Sequence, residues 1–165
     1  MLIRQEKAED YEAVYHVVQE AFRNAEYTDG NEQNLVVALR KSKAFIPELS
    51  LVAVEDQRVV GYILFTKAVV NGVQVLALAP LAVLPEYQNR GIGLDLIAEG
   101  HRVGYGYSVV LGHPQYYPKA GYLPASRYGI RAPFPVADEN FMAICLNAEP
   151  KPLDGTMEYD LAFGI

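Results

Sequence analysis

Hydrophobic and polar residues alternate along the chain in patterns that predict both helices and strands. Between Tyr11 and Phe22 the apolar residues recur at intervals of three and four, which is typical of an amphipathic helix. A second short helix is marked by Leu35, Val36 and Leu39 and ends in a basic pair. Apolar runs predict strands over residues 2–5, 49–54, 59–69, 108–111 and 141–146, with a further strand that ends at Val83.

Two features sharpen this pattern in the middle of the chain. The pair Asn71-Gly72 lies between two predicted strands and indicates a tight hairpin, because both turn positions need a positive φ. Pro80, in the next strand, has no N–H to donate to a neighbour and therefore predicts a bulge or an edge there. A helix over residues 92–103 follows, and the order strand, helix, strand predicts a parallel pair of strands.

The length of the chain predicts one domain over residues 1–165, because 165 residues suffice for a sizeable core. Residues 124–140 are rich in Pro and turn residues, whereas residues 150–165 have a periodicity too weak to predict an element.

Charge and composition argue against several classes of protein. The net charge is −6 and no run of Lys or Arg occurs, which argues against nucleic-acid binding. No stretch of about 18 apolar residues exists, so no membrane span is expected. The first residues become polar too soon for a secretory signal, and the single cysteine, Cys145, fits a reducing compartment. We therefore expect a cytoplasmic protein, without a metal, since the histidines lack metal-like spacing.

The candidate chemistry begins at the segment Gln88-Asn89-Arg90-Gly91-Ile92-Gly93, which joins a buried strand to the predicted helix. The first N–H groups of a helix have no intrahelical partner, and the helix dipole is positive at that end. Gly91 and Gly93 place no side chain in the way of an anion, and Arg90 adds a positive charge. The segment therefore predicts a turn that binds phosphate.

Two common phosphate-binding motifs do not fit this turn. A Walker loop needs a Gly-Lys-Ser/Thr ending, and a dinucleotide fingerprint needs a third Gly where Leu96 stands. The pattern that fits is Gln/Arg-x-x-Gly-x-Gly/Ala after a strand. In this pattern, over residues 81–93, the chain resembles the GNAT family of acyl-CoA-dependent N-acetyltransferases.

A second motif, Tyr116-Tyr117-x-x-x-Gly121-Tyr122, resembles the family's (Phe/Tyr)-Tyr-x-x-x-Gly-Phe motif, whose second aromatic residue supplies the general acid in many members. Acetyl transfer expels a thiolate, whose conjugate thiol has a pKa of about 8.5, and a tyrosine with a pKa of about 10 is protonated at neutral pH and can donate. The alternative is that both tyrosines only pack. We assign the acid role to Tyr117 and packing to Tyr116.

The resemblance implies a mixed α/β fold, in which a central, mostly antiparallel sheet is splayed between two parallel strands and flanked by helices. It implies acetyl-CoA as cosubstrate and a small-molecule or peptide amine as the acceptor that attacks it directly. Dimers are common in the family, so the resemblance leaves a homodimer open. By carry-over, main-chain groups of Leu81, Ala82 and Val83 would bind the pantetheine arm and the acetyl carbonyl. The pyrophosphate would lie against Asn89, Arg90, Gly91, Ile92, Gly93 and Leu94.

The group that deprotonates the amine is not assigned by the sequence. Glu86, Glu26, Asp29 and a water chain are all candidates, but each carboxylate is more typical of a solvated surface, and none is assigned. His113, in a Gly-His-Pro-x-Tyr-Tyr segment that resembles a subgroup typified by bacterial YhbS proteins, is interpreted as a structural histidine whose ring binds loop carbonyls, with proton handling as the alternative.

Two rival functions are compatible with the same fold. A non-catalytic CoA-binding or sensor domain is favoured by the lack of an assignable base and disfavoured by Tyr117. A partner-binding module is less favoured still, on the argument that only a ligand accounts for Gly91 and Gly93 at a helix start.

Overall fold

The structure is a computed structural model that describes residues 1–25 and 28–165. The described residues form three α-helices, α1 (Tyr11–Phe22), α2 (Glu32–Arg40) and α3 (Ile92–Val103), which lie against one large sheet. The strands are β1 (Leu2–Gln5), β2 (Ser50–Glu55), β3 (Arg58–Val70), β4 (Val73–Val83), β5 (Tyr107–Leu111), β6 (Leu123–Pro124), β7 (Ile130–Arg131), β8 (Phe141–Cys145) and β9 (Gly155–Glu158).

The strand order β1-β2-β3-β4-β5-β8-β6 confirms the predicted mixed α/β fold. Along this path every pair of neighbours is antiparallel except β4 and β5, which run parallel and are connected through α3. The hairpin between β3 and β4 has positive φ at Asn71 (48°) and Gly72 (76°), as that turn type requires. The bounds of α3 agree with the predicted helix over residues 92–103.

Three strands lie where the sequence pattern predicts no strand. β6 and β7 contain two residues each, which is too short for an alternating pattern to show. β9 falls within the region of weak periodicity and pairs with both β3 and β7. The chain after β9 then reaches α2, against which a short 3-10 turn over Leu161–Phe163 packs.

α1 buries a slightly different side from the one its apolar stripe predicts. Val14, Val17 and Val18 are buried, whereas Tyr11 and Tyr15 are 43% and 37% exposed. Both tyrosines lie at the edge of the buried face and contact α2. The hydroxyl of Tyr15 donates to Asn34 Oδ1 at 3.1 Å, and the Arg40 guanidinium lies 3.9 Å from the centroid of the Tyr11 ring. A tyrosine suits this edge because its ring is apolar and its tip is polar.

On the other face of the sheet, α3 approaches β3 closely because Gly100 has no side chain. A Cβ at Gly100 would collide with the ring of Phe65. This close approach buries Ile92, Leu96 and Ile97 of α3 against the sheet. The start of α3, which carries the predicted phosphate-binding turn, is thereby fixed relative to β4. None of the described helices is long and apolar enough to span a membrane.

A buried ion pair fastens α2 to the sheet. Arg40, at the end of α2, donates to both carboxylate oxygens of Glu6, from Nε at 3.1 Å and from Nη2 at 2.5 Å. The two side chains are only 9% and 2% exposed. The hydroxyl of Ser50 donates to Glu6 at 2.7 Å and bonds to the Tyr62 hydroxyl, also at 2.7 Å. The buried charges are therefore paired, and both carboxylate oxygens of Glu6 accept hydrogen bonds, which is what makes their burial tolerable.

This arrangement predicts that Glu6→Gln lowers the free energy of unfolding by about 3–5 kcal/mol, because the Arg40 charge would stay buried without a compensating charge. Urea denaturation monitored by circular dichroism measures the change. Glu99→Gln is the matched control, since Glu99 pairs with Arg102 on the surface of α3, where water screens the interaction. Equal losses in the two variants would contradict the role assigned to the buried pair.

Candidate active site

The parallel strands β4 and β5 part after only two paired positions, Leu76 with Ser108 and Ala77 with Val109. The register between β3 and β4 shifts at the same level, where Leu64 faces both Ala79 and Pro80. The predicted irregularity at Pro80 and the predicted divergence from β5 are confirmed. Beyond Ala77, the main-chain groups of β4 that point away from β3 have no partner on β5.

A cleft of about 1,430 Å³ opens where the two strands part. One wall is the bulged part of β4, and the other comprises the end of β5 and the tyrosine pair that follows it. The predicted phosphate-binding turn and the start of α3 close one end, while the end of α1 and the first turns of α2 border the other. Pro135 and Val136, for which the sequence predicts no role, also line it.

The turn at the start of α3 presents unpaired hydrogen-bond donors. Gly91 is the N-cap, with φ of 83°, and its carbonyl accepts the first helical bond from Asp95 N at 3.0 Å. Within the described chain, the N–H groups of Ile92, Gly93 and Leu94 have no acceptor. Arg90 forms no ion pair with a described residue, and its guanidinium lies 5.1 Å from the centroid of the Tyr87 ring. Three free N–H groups and a nearby cation can bind an anion.

The argument that only a ligand accounts for the two glycines is wrong. Gly91 adopts a φ that disfavours any residue with a side chain, whatever is bound. Gly93 lies under the hydroxyl of Tyr116, with which a Cβ would collide. The backbone conformation at Gly91 and the contact at Gly93 therefore account for both glycines without a ligand. The case for an anion site rests on the free N–H groups instead.

The end of β4 is tied to this turn by Gln88, whose Nε2 donates to the carbonyl of Val83 at 3.0 Å. The side chains of Leu81 and Val83 line the cleft, whereas Ala82 is buried on the other side of the strand. The bond from Gln88 removes one acceptor from the three residues expected to bind the pantetheine arm.

The ring of Tyr117 is held by tight packing. A Cβ at Gly112 would collide with it, and the rings of Tyr116 and Tyr122 meet it edge-on at 5.1 and 5.8 Å between centroids. Its hydroxyl has no hydrogen-bond partner among the described residues. Among the described residues, the only fully buried side-chain N or O atom without a hydrogen-bond partner is Thr66 Oγ1. The unpartnered hydroxyl of Tyr117 is therefore not fully buried. Burial of the ring raises the pKa of Tyr117, so its phenol is protonated at neutral pH.

Tyr116, which is predicted only to pack, also lines the cleft. The hydroxyl lies against Gly93, in the first turn of α3 and next to the free N–H groups. Burial raises the pKa of Tyr116 as well, so it too carries its proton. This contact depends on residues that are distant in sequence, which is why no local pattern predicts it.

Of the three carboxylates proposed as bases, the two that the structure describes do not line the cleft. Glu86 is exposed and does not line it. Asp29 is exposed beside a smaller adjoining cavity and accepts a bond from Asn31 N at 2.9 Å. Glu26 lies outside the described residues. The carboxylates that do line the cleft, Glu20 and Glu32, were missed because charged residues on a helix are usually solvated.

His113 lies exposed at the mouth of the cleft. Its ring has no hydrogen-bond partner among the described residues, so the interpretation that the ring binds loop carbonyls is wrong. Its own carbonyl accepts from the N–H groups of Tyr116 at 3.1 Å and Tyr117 at 3.4 Å, which helps to orient the pair. Over residues 1–25 and 28–165, no group of three His, Cys, Asp or Glu side chains could hold a metal ion.

The chain matches a known protein family. The family model described as Acetyltransferase (GNAT) family matches residues 11–104, more than half of the chain. The chain belongs to the GNAT family. Among its relatives are two proteins of Escherichia coli strain K12, both described as uncharacterized N-acetyltransferases. YjhQ is 40% identical over 136 residues, 75% of each chain, and YhbS is 32% identical over 148 residues, 86% of this chain and 84% of YhbS.

Solved structures agree with this assignment. A GNAT family acetyltransferase from Brucella melitensis, in complex with acetyl-CoA, is 32% identical with a TM-score of 0.80, covering 98% of this acetyltransferase and 97% of that chain. E. coli YhbS in complex with CoA is 28% identical with a TM-score of 0.85, and the match covers 99% of this chain and 92% of the YhbS chain. The chain is therefore a GNAT-family N-acetyltransferase with the predicted fold, and its similarity to YhbS is confirmed.

The contact between Gly93 and Tyr116 predicts a coupling between two substitutions. Gly93→Ala should be destabilising because overpacking costs about 1–3 kcal/mol, more than the helix gains from alanine. With Tyr116→Phe in the background, the colliding hydroxyl is absent and the same change should stabilise by about 0.5–1 kcal/mol. Denaturation of the four proteins of this double-mutant cycle measures the coupling, and additive effects would contradict the contact.

Proposed function

We propose that this acetyltransferase transfers the acetyl group of acetyl-CoA to an amine acceptor, a small molecule or a peptide, by direct attack within a ternary complex. The observation that carries the proposal is the single cleft that joins the anion-binding turn to the hydroxyl of Tyr117 through the parting of β4 and β5. The complexes of the two related structures with acetyl-CoA and CoA support it.

In this proposal the pyrophosphate of CoA lies at the start of α3. The N–H groups of residues 92–94 donate to it, Arg90 supplies a counter-charge, and the chain at Asn89 and Gly91 shapes the turn. These donors are already unpaired, so binding breaks no bond within the described chain. No metal is required for charge neutralisation, because the helix start and Arg90 both present positive potential.

The pantetheine arm then follows the unpaired edge of β4 along Leu81, Ala82 and Val83. An extended chain can satisfy main-chain groups that a missing strand leaves open, in the same way as a peptide that adds to a sheet edge. A β4 N–H that points at the acetyl carbonyl would stabilise the negative oxygen of the tetrahedral intermediate. The bulge at Pro80 is what separates this edge from β5.

Tyr117 is the proposed acid that protonates the departing thiolate. Burial raises the pKa of its phenol, and the same burial raises the proton affinity of a thiolate that leaves into the cleft. Proton transfer therefore takes place between two groups that are both poorly solvated, and the phenol is available in its protonated form over the whole neutral range.

Residues 1–165 act, in this proposal, as one acetyltransferase domain. The sheet draws its strands from Leu2 to Glu158, and the last turn of the described chain, Leu161–Phe163, returns to pack on α2.

Removing the proposed acid tests the function. Tyr117→Phe keeps the packed ring and loses the hydroxyl, so turnover should fall by about 10²–10⁴-fold while the affinity for acetyl-CoA stays near that of the wild type. The assay follows amine-dependent release of the CoA thiol with a panel of alkylamines, polyamines, aminoglycosides and peptides. Tyr159→Phe is the matched control, because it removes a hydroxyl from a ring packed between Phe134 and Phe163, outside the cleft.

A folded Tyr117→Phe enzyme with normal turnover would overturn the assignment of the acid. A wild-type protein that binds acetyl-CoA and releases no thiol with any amine would instead favour the rival function, a CoA-binding or sensor domain.

A further inference from the structure

The end of the cleft that α1 and α2 border, opposite the turn at the start of α3, contains two carboxylates with different surroundings. Glu20 accepts from the Arg23 guanidinium at 2.5 Å, so its charge is compensated. Glu32 has no Lys, Arg or His partner among the described residues. Of the two, only Glu32 lines the cleft without a cationic side chain beside it, and a cationic group is what would pair with it.

Glu32 is held in position by its neighbours. It is the first residue of α2 and is half-buried. The Thr28 hydroxyl donates to its carboxylate, with its oxygen 2.6 and 2.8 Å from the two carboxylate oxygens, and Thr28 itself accepts from Gly30 N at 3.0 Å. The other end of α2 is fastened to the sheet through Arg40. The carboxylate is therefore presented by a fixed element, as a group that must meet a substrate should be.

Glu32 also lies where two cavities meet. A second cavity of about 450 Å³ adjoins the cleft and is bordered by Asp29, Asn34 and Phe163. Glu32 and Leu35 line both spaces. A molecule that reaches the cleft from the second cavity therefore passes the Glu32 carboxylate.

We propose that Glu32 binds the ammonium group of a cationic amine acceptor and removes its proton, which rests on the acetyl transfer proposed above. A primary alkylamine, like the side chain of lysine with a pKa of about 10.4, arrives protonated at neutral pH and cannot attack in that form. An unpaired carboxylate both attracts the ammonium and accepts its proton. The substrate class that fits the site is an alkylamine, rather than an arylamine, which is neutral at this pH.

The proton balance of the reaction closes with these two residues. Glu32 takes one proton from the ammonium, and the freed nitrogen lone pair forms the N–C bond to the acetyl carbonyl. The tetrahedral adduct collapses, the C–S bond breaks, and the thiolate takes the proton of Tyr117. The second proton that the nitrogen loses restores the Tyr117 phenol, and Glu32 passes its proton to water. The products are the acetamide, the CoA thiol and one released proton.

The test compares Glu32→Gln with Glu20→Gln, which changes a carboxylate that lines the same cleft but is already paired. Thiol release is measured with phenethylamine, spermidine and a lysine-containing peptide as cationic probes, and with aniline as the neutral probe. Glu32→Gln should lower kcat/KM for the cationic probes by about 10²–10⁴-fold, with the KM for acetyl-CoA unchanged. Any rate with aniline should fall far less, because that amine arrives without the extra proton.

A purely structural role for Glu32 makes a different prediction. A carboxylate at the start of α2 also interacts favourably with the positive end of the helix dipole. Loss of that interaction would lower thermal stability and reduce the rates with all four probes alike. Glu32→Asp, which restores the charge, should recover part of the rate with cationic amines, whereas Glu20→Gln should change it less than about threefold.

The outcomes separate the two proposals. Equal rates for Glu32→Gln and Glu20→Gln with a cationic amine that the wild type acetylates would overturn the role of Glu32 and leave acetyl transfer intact. A wild type that acetylates aniline but none of the cationic probes would overturn the proposed substrate class. Thiol release with none of the four probes, in a protein that binds acetyl-CoA, would count against acetyl transfer itself and against Glu32 with it.

Discussion

The parting of β4 and β5 is the constraint on which the rest of the site depends. Two paired positions hold the strands together, and the bulge at Pro80 then turns β4 away from β5. In a regular parallel pair, the edges of both strands would satisfy each other and leave no opening. Because they separate, main-chain groups in the middle of the sheet stay unpaired, and the start of α3 lies at the end of the gap. Backbone polar groups left open within a structure need a partner, and a ligand with amide groups can provide one.

The two sides of the cleft are stabilised in different ways. The end at α3 depends on close approach, since Gly100 brings α3 onto β3 and Gly93 admits the Tyr116 hydroxyl. The end at α1 and α2 depends on charge, since the buried pair of Glu6 and Arg40 fastens the end of the helix whose first residue is Glu32. Packing of this kind tolerates little change in volume, whereas the buried pair tolerates little change in charge. A variant that loosens either side should therefore disturb function without touching a reacting group.

The features that the sequence predicted are those with local causes. The hairpin at Asn71-Gly72, the bulge at Pro80 and the helix over residues 92–103 each follow from turn chemistry or periodicity over a few neighbours. The failures have tertiary causes. Glu86 is close to the turn in sequence, yet its side chain lies outside the cleft. Gly93 is required by a tyrosine from another part of the chain. Glu32 resembles any solvated helical carboxylate until it is seen to have no cationic side chain beside it in the described part of the chain.

The most direct test of this account is a titration of the 15N-labelled protein with acetyl-CoA, followed by amide chemical shifts, because the proposed cofactor site consists largely of backbone N–H groups. The largest shifts are expected at Ile92, Gly93 and Leu94 and along residues 81–83, with little change in β1, which lies at the far edge of the sheet. Saturable binding that leaves the amides of residues 92–94 unchanged would contradict it.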